Sequence, residues 1–490
     1  MDLGQTIRTG VKWLIIGNTG NRILEFAFGV VLARLLVPAD FGMIITIQVF
    51  TGFVGMLSSG GMGQALIRAK EVDHNDFNAV LTLQLAMGIL IYTGFFLSAP
   101  WFAVYFGNPL YEYLVPVSAL VFLMRPFIYM RTSWLSREMN FRKRAITDIM
   151  SMIATGISSI LMAWHGLGVW SLTLSGLVGM LTKNILLSRA TPLQLRLNFD
   201  YRVMRRHSSY GSKIIANDFL SNITEKITQL IISKLAGPAF LGLFSKADSL
   251  HRLPFWTLGR PVSQTTFRAM SKMQDDLDQT KYMFYRVITL LGVYILPFYS
   301  GLWWIAEPFI GLIYGDKWLP AAEPLKILTM AGFFYLISRP CGVLLMAQNR
   351  LTQEMLAQAV VLVIAVTACL IGLEWGLVGV SWGMLATQVF KTIYFYFIAS
   401  RTIPTRLTDL AKALAPGLVL NCILFLVLLT VDSLTNQLKM ASPAIYILAM
   451  GTAGLFAYSA AFFLLPIPAL DTEVARWREK FGGCLRFMHI

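Results

Sequence analysis

Eleven Lys and Arg residues fall inside or at the edge of long apolar segments: Arg22, Arg125, Arg131, Lys183, Lys226, Lys246, Arg252, Arg260, Lys326, Arg339 and Lys391. A cation at the centre of a bilayer costs about 2.5–3.5 kcal/mol on insertion scales, so these groups must snorkel, pair with acids or line a watery cavity. Lys183, Lys246, Lys326 and Lys391 lie near segment ends, where a long stem carries the ammonium to the interface. Arg22, Arg125, Arg131, Arg252, Arg260 and Arg339 remain, and they outnumber the buried carboxylates expected to neutralise them, Glu25, Asp218, Glu225 and Asp248. Arg22 and Glu25 are three apart, on one helical face. Three of the arginines stand directly before a proline, at 125–126, 260–261 and 339–340. A proline frees a helix carbonyl, which is tolerated in a membrane only where protein or cavity water meets it. Two readings follow: a bent helix presenting its guanidinium to a cationic cavity, or an arginine bonded to the freed carbonyls. A guanidinium fork grips phosphate oxygens in pairs, so the first reading predicts an anionic, phosphate-bearing cargo.

These residues are carried by apolar segments at 12–33, 42–66, 77–98, 113–136, 145–164, 168–188, 211–233, 239–262, 284–306, 323–346, 353–373, 376–399, 409–431 and 441–465. Most approach or exceed the roughly 20 residues that span a hydrocarbon core. Of the 41 Lys and Arg, 26 lie at the two ends or in every second gap, against four (Arg34, Lys234, Lys317 and Lys439) in the intervening gaps. Short loops rich in Lys and Arg stay cytoplasmic, so both ends are expected on that side. The same asymmetry explains the formal charge of +15 without nucleic acid; membrane lipid head groups are the expected partners of the loop charges. Met1-Asp2-Leu3-Gly4 does not open a cleavable signal peptide, so the first segment is expected to remain as an anchor.

Laying residue n over n+200 reveals an internal repeat. Nine of the 52 positions from 18 to 69 are identical, among them Ile23/Ile223, Glu25/Glu225, Pro38/Pro238, Ala39/Ala239 and Gly42/Gly242. With a small shift, Gly166-Leu167-Gly168-Val169 resembles Gly376-Leu377-Val378-Gly379-Val380. The expected fold is all-α and polytopic, with about 14 transmembrane helices. Two six-span repeats would surround a central cavity as parallel repeats, because an even number of spans starts each on the same side. The lobes are expected at 1–210 and 211–406, with two appended spans at 407–468 and a cytoplasmic tail at 469–490.

Catalytic classes find little support. Cys341, Cys369, Cys422 and Cys484 are scattered with no CxxC pair, so no metal site, disulfide framework or cofactor is indicated. No Ser/His/Asp, paired-carboxylate or metal-spaced constellation appears, which disfavours a membrane polysaccharide polymerase or ligase. A cation-coupled drug antiporter needs buried carboxylates, and the repeated Glu25 and Glu225 are its best support. The same two residues could instead couple a proton or sodium gradient to transport. Trp303, Trp304, Trp382 and Tyr394 could stack on sugar rings or sit in interfacial belts.

The run Val31-Leu32-Ala33-Arg34-Leu35-Leu36-Val37-Pro38-Ala39-Asp40-Phe41-Gly42 is similar to the first-loop signature of bacterial polysaccharide transporters. Gly61-Met62-Gly63-Gln64-Ala65-Leu66-Ile67-Arg68, Asp76-Phe77-Asn78 and Asn140-Phe141-Arg142 continue the similarity. The family is that of Wzx-like lipopolysaccharide and exopolysaccharide flippases, within the multidrug/oligosaccharidyl-lipid/polysaccharide superfamily. The resemblance implies a non-enzymatic flippase of the bacterial inner membrane for O-antigen, exopolysaccharide or capsule synthesis. It would move a polyprenyl-diphosphate-linked glycan from the cytoplasmic to the periplasmic leaflet by alternating access, in the company of a glycan polymerase. Arg22 and Arg260 would be the nearest matches to the diphosphate-binding arginines of related lipid flippases, and 409–465 would shelter the lipid tail.

Overall fold

The computed structural model describes residues 3–59, 62, 66–67, 72–204, 223 and 226–487. Among them every regular element is helical, as an all-α chain requires. The chain forms two compact units, Met1–Leu243 and Phe244–Ile490.

The first unit contains α1 (Leu3–Leu35), α2 (Pro38–Ser59), α3 (His74–Phe106), α4 (Leu110–Ala119), α5 (Val121–Arg137), α6 (Phe141–Trp164) and α7 (Val169–Ala190), followed by helical residues 226–235. The motifs of the sequence prove to be local punctuation. Pro38 takes the first helical position of α2, where its missing N–H is no loss, and Asp40 accepts the Val37 N–H at 3.2 Å. Asp73 and Asp76 form a reciprocal capping box at the start of α3. Asn140 caps α6 by accepting the Lys143 N–H at 3.2 Å. Small residues set the α1–α6 approach: a Cβ on Gly10 would meet the Phe141 ring, one on Gly17 would meet Ala145, and one on Gly156 would overlap Phe28.

The two turns paired by the 200-residue offset lie against each other. A Cβ added to Gly42 would overlap the Pro238 carbonyl, and one added to Gly242 would overlap the Pro38 carbonyl. Only glycine permits this doubly close approach. Four residues along α2, the buried Thr46 and Ser233 hydroxyls lie 2.6 Å apart.

The second unit holds most of α8 (Gly237–Pro254), a π-helical turn at Phe255–Gly259, α9 (Arg260–Lys272), α10 (Leu277–Tyr314), α11 (Ala322–Ala347), α12 (Leu351–Leu373), α13 (Gly376–Ser400), α14 (Leu407–Ala441), α15 (Pro443–Leu464) and α16 (Asp471–Phe487). Pro254 and Pro261 bracket the π turn, as expected where two prolines disturb the i→i−4 ladder. The later offset of the repeat is 210 residues, and it is written in the backbone. Met139 and Asn349 are the two non-glycine residues of positive φ among the described residues, at 53° and 56°. Identical caps surround them: Asn140 N–H reaches Leu135 O and Arg350 N–H reaches Leu345 O, each at 2.8 Å.

Among the described residues ten helices are long and apolar enough to cross a membrane. Of the four other expected segments, 211–233 lies largely outside the described residues, and 12–33, 239–262 and 376–399 do not reach that standard. The reason for the rest is polarity: Asn18, Asn21, Arg22 and Glu25 lie on α1, Lys246, Asp248 and Arg252 on α8, and Gln388 and Lys391 on α13. Fourteen spans therefore remains a proposal.

Candidate functional site

A cavity of about 460 Å³ opens between α1, α6 and α7 of the first unit. Its wall is polar at helical spacing. Asn21 and Glu25 come from α1, Asp148, Ser151, Met152 and Thr155 from α6, and Gly176, Gly179, Met180 and Lys183 from α7. Both α6 and α7 contribute at i, i+3, i+4 and i+7, one stripe of each helix. Lys183 Nζ lies 2.6 Å from Asp148 Oδ1, with the two side chains 28% and 23% exposed. Arg144 Nε stands 4.0 Å from the other carboxylate oxygen. Ser151 and Thr155 donate to the Asp148 and Ser151 carbonyls, each at 2.9 Å. Asn21 Oδ1 is buried and has no hydrogen-bond partner among the described residues.

The cavity lining thus joins Glu25 and Asp148 to one lysine, rather than gathering arginines. Arg22 is exposed on α1 beside Asn21, and among the described residues it makes neither a hydrogen bond nor an ion pair; the expected Arg22–Glu25 pair is not formed. Arg125 lays its guanidinium against Gly55 of α2, 5.5 Å from the Phe122 ring centroid. Arg131 donates to Asn184 Oδ1 at 2.5 Å, so it ties α5 to α7. Arg252 pairs with Asp248 one turn away at 2.9 Å, cancelling both charges locally. Arg339 donates to the Tyr335 hydroxyl at 2.6 Å and lies over that ring. Arg260 begins α9, and its side chain lies outside the described residues, as do Asp218 and Glu225.

Lysines expected to snorkel are engaged instead. Lys183 holds Asp148, Lys326 approaches Glu307 and Glu323 at 3.9 and 4.0 Å, and Lys246 lies over Tyr314 and Trp318. Lys391 donates to Gln358 Oε1 at 3.4 Å and sits over Phe395. Span-end position alone could not show this, because a stem that reaches water also reaches a neighbouring helix. Asp148 and Lys183 are the functional candidates that sequence reasoning passed over; an acid within the first turns of an apolar span was the available signal. Of the aromatics, Trp303 and Trp304 pack edge to face with each other and against Phe425, Tyr394 stacks on Phe390, and Trp382 is 51% exposed.

Residues 31–323 match the family described as Polysaccharide biosynthesis protein. The lipopolysaccharide biosynthesis protein WzxC of Escherichia coli (strain K12) is 23% identical over 405 residues, 81% of this chain and 82% of the relative. The succinoglycan biosynthesis transport protein ExoT of Rhizobium meliloti (strain 1021) is 24% identical over 327 residues, 67% of this chain and 66% of the relative. Among solved structures, the lipid II flippase MurJ in an inward closed conformation superposes with a TM-score of 0.71 at 16% identity, covering 92% of this chain and 99% of that one. An inward-facing multidrug resistance MATE family transporter of the MOP superfamily gives a TM-score of 0.61 at 13% identity, covering 78% and 95%. The fold is therefore the one that these two proteins share.

Proposed function

This chain belongs to the polysaccharide biosynthesis protein family, and from that membership we propose that it is a flippase for a polyprenyl-diphosphate-linked oligosaccharide. The observation that carries the reading is similarity over 81% and 67% of the chain to relatives named for lipopolysaccharide biosynthesis and succinoglycan transport, on a fold shared with a lipid II flippase. The chain is a multi-pass membrane protein; the bacterial inner membrane, cytoplasmic termini and association with a glycan polymerase belong to the proposal. So do the two lobes at 1–210 and 211–406, the appended spans at 407–468 and the sheltering of the lipid tail by 409–465.

Phosphate recognition is assigned first to Arg22, whose exposed side chain forms no ion pair among the described residues. Arg260 is the second assignment, on its place directly after a π turn, a common site of functional irregularity. Arg125, Arg131, Arg252 and Arg339 are engaged with their own protein and serve helix packing better than cargo binding. Glu25 and the Asp148–Lys183 pair are assigned to proton or sodium coupling, since a cation entering beside Asp148 competes directly with the lysine ammonium. In an alternating-access cycle the interlocked turns at Pro38 and Pro238 must part when the transporter opens on their side.

The test is leaflet exchange of a polyprenyl-diphosphate-linked oligosaccharide in liposomes containing the purified protein. Wild type should accelerate exchange, and Arg22→Gln or Arg260→Gln should remove that acceleration. A second reading, a cation-coupled exporter of organic cations, draws on the two carboxylates of the first-unit cavity. Proton- or sodium-driven movement of organic cations in the same liposomes, without glycolipid exchange, would decide for it.

A further inference from the structure

The last described helix, α16, is not a free tail. Arg286, in the third turn of α10, donates to Ala469 O at 2.7 Å, Thr472 Oγ1 at 2.9 Å and Glu473 Oε1 at 2.9 Å. The Glu473 side chain is only 8% exposed, and it accepts from the Tyr294 hydroxyl at 3.4 Å as well. Trp477 Nε1 donates to the same Tyr294 oxygen at 2.9 Å, so α10 is gripped at residues 286 and 294, two turns apart. On the other side, Arg478 donates to Phe463 O at 3.0 Å, in the last turn of α15. Beneath these polar contacts Leu470, Val474 and Trp477 pack onto Val293, Leu420, Ala461 and Phe462. Apolar residues at 470, 474 and 477 give this segment one sticky face, flanked by Lys480 over the Trp477 ring at 5.3 Å and Arg476 on Glu473 at 3.4 Å.

We propose that α16 is a strap that fastens the start of α10 and the end of α15 into one mechanical body, with the Arg286–Glu473 ion pair as its fastening. Glu473 is also reached by Arg476 at 3.4 Å, but that side chain is 65% exposed, so Arg286 is the buried partner and its removal raises the desolvation cost of the carboxylate most. The appended helix α15 then follows α10 in any movement, whichever cargo the protein carries. The inference stands on the fold and does not depend on the flippase reading.

The experiment places spin labels at Tyr282→Cys and Leu464→Cys, both exposed positions (70% and 79%) outside the strap, in a variant lacking the four native cysteines. Distance distributions are read alongside the rate at which trypsin cuts after Arg476, Arg478 and Lys480. The wild type should give one narrow distribution and slow cleavage. Arg286→Glu and Glu473→Arg should each broaden the distribution and speed cleavage by about tenfold, and the reversed pair Arg286→Glu/Glu473→Arg should restore both. Glu473→Gln supplies a milder change in the same direction should either reversal fail to insert. Rapid cleavage with an unchanged distribution would overturn the strap, because packing alone would then hold the helices. Slow cleavage in the single variants would overturn the ion pair as its fastening.

Discussion

The α6–α7 seam of the first unit and the α12–α13 seam of the second open from the same cap and are filled with different chemistry. Met139 and Asn349 turn the chain into α6 and α12 with matching backbone hydrogen bonds, and Gly166 and Gly376 turn it again at φ 78° and 68°. Asp148 of α6 corresponds at this offset to Gln358 of α12, and each faces a lysine from the following helix, Lys183 or Lys391. In the first seam an acid holds the ammonium at 2.6 Å beside a cavity; in the second an uncharged amide holds it at 3.4 Å. The backbones differ in the same sense. A Cβ on Gly179 would strike the Thr155 side chain, which can turn aside, whereas Cβ atoms on Gly372, Gly379 and Gly383 would strike carbonyls of the facing helix, which cannot. One scaffold therefore yields a seam closed by a direct ion pair on a yielding contact, and one in which the amide of Gln358 stands between Lys391 and Glu354 on a rigid backbone. The coupling role proposed above is placed in the former because its carboxylate meets a lysine directly beside a cavity, whereas the amide of Gln358 has no proton or counter-ion to exchange.

The sharpest way to break this comparison is Asp148→Asn, which leaves Lys183 without its counter-charge. Losing one member of a half-buried pair should lower the initial rate of leaflet exchange about tenfold or more, whereas Gln358→Met should change it less than about threefold. Equal losses would end the division of labour. Next in size, Gly379→Ala should destabilise the protein by about 1–3 kcal/mol, the range for overpacking against an unyielding neighbour. Thermal unfolding in detergent measures it, and Gly179→Ala on the same scale should cost about 1 kcal/mol or less because Thr155 can rotate. The smallest effect is expected from Gln358→Glu, which copies the acid into the second seam. A partly exposed ion pair with Lys391 adds about 0.2–1 kcal/mol, but Glu354, 3.2 Å from the Gln358 amide, would repel the new carboxylate. Unfolding should therefore shift by less than about 1 kcal/mol in either direction, and transport should not change its ion dependence. A new ion dependence in that variant would show that the acid alone, without the cavity, makes a coupling site.

Much of the architecture was legible because it is governed by local rules. Alternating loop charge, the Pro-Ala-x-x-Gly turns and the glycines at 166 and 376 each act within a few residues, so spacing reveals them. The span count was less so: the polar groups of α1, α8 and α13 lower their apolarity below that of a membrane-crossing helix judged alone. The candidate site was harder still. An arginine reads the same in sequence whether it meets Asp248, the Tyr335 ring or Gly55, since those partners come from the folded arrangement. Glu25 was visible through its repeat partner, but Asp148 and Lys183 lie 35 residues apart and meet only when α6 and α7 pair.

The reciprocal contact of Gly42 with Pro238 and Gly242 with Pro38 leaves no clearance for a methyl group on either side. Alanine at position 42 or 242 is thus the smallest wedge chemistry offers, and its effect is one-sided: it excludes the joined arrangement and leaves every separated one untouched. A Cys pair at Thr46 and Ser233, whose hydroxyls lie 2.6 Å apart, is its opposite, a reducible bolt on the joined form. Together they would test the opening of these turns proposed above, with nothing larger than a side chain changed.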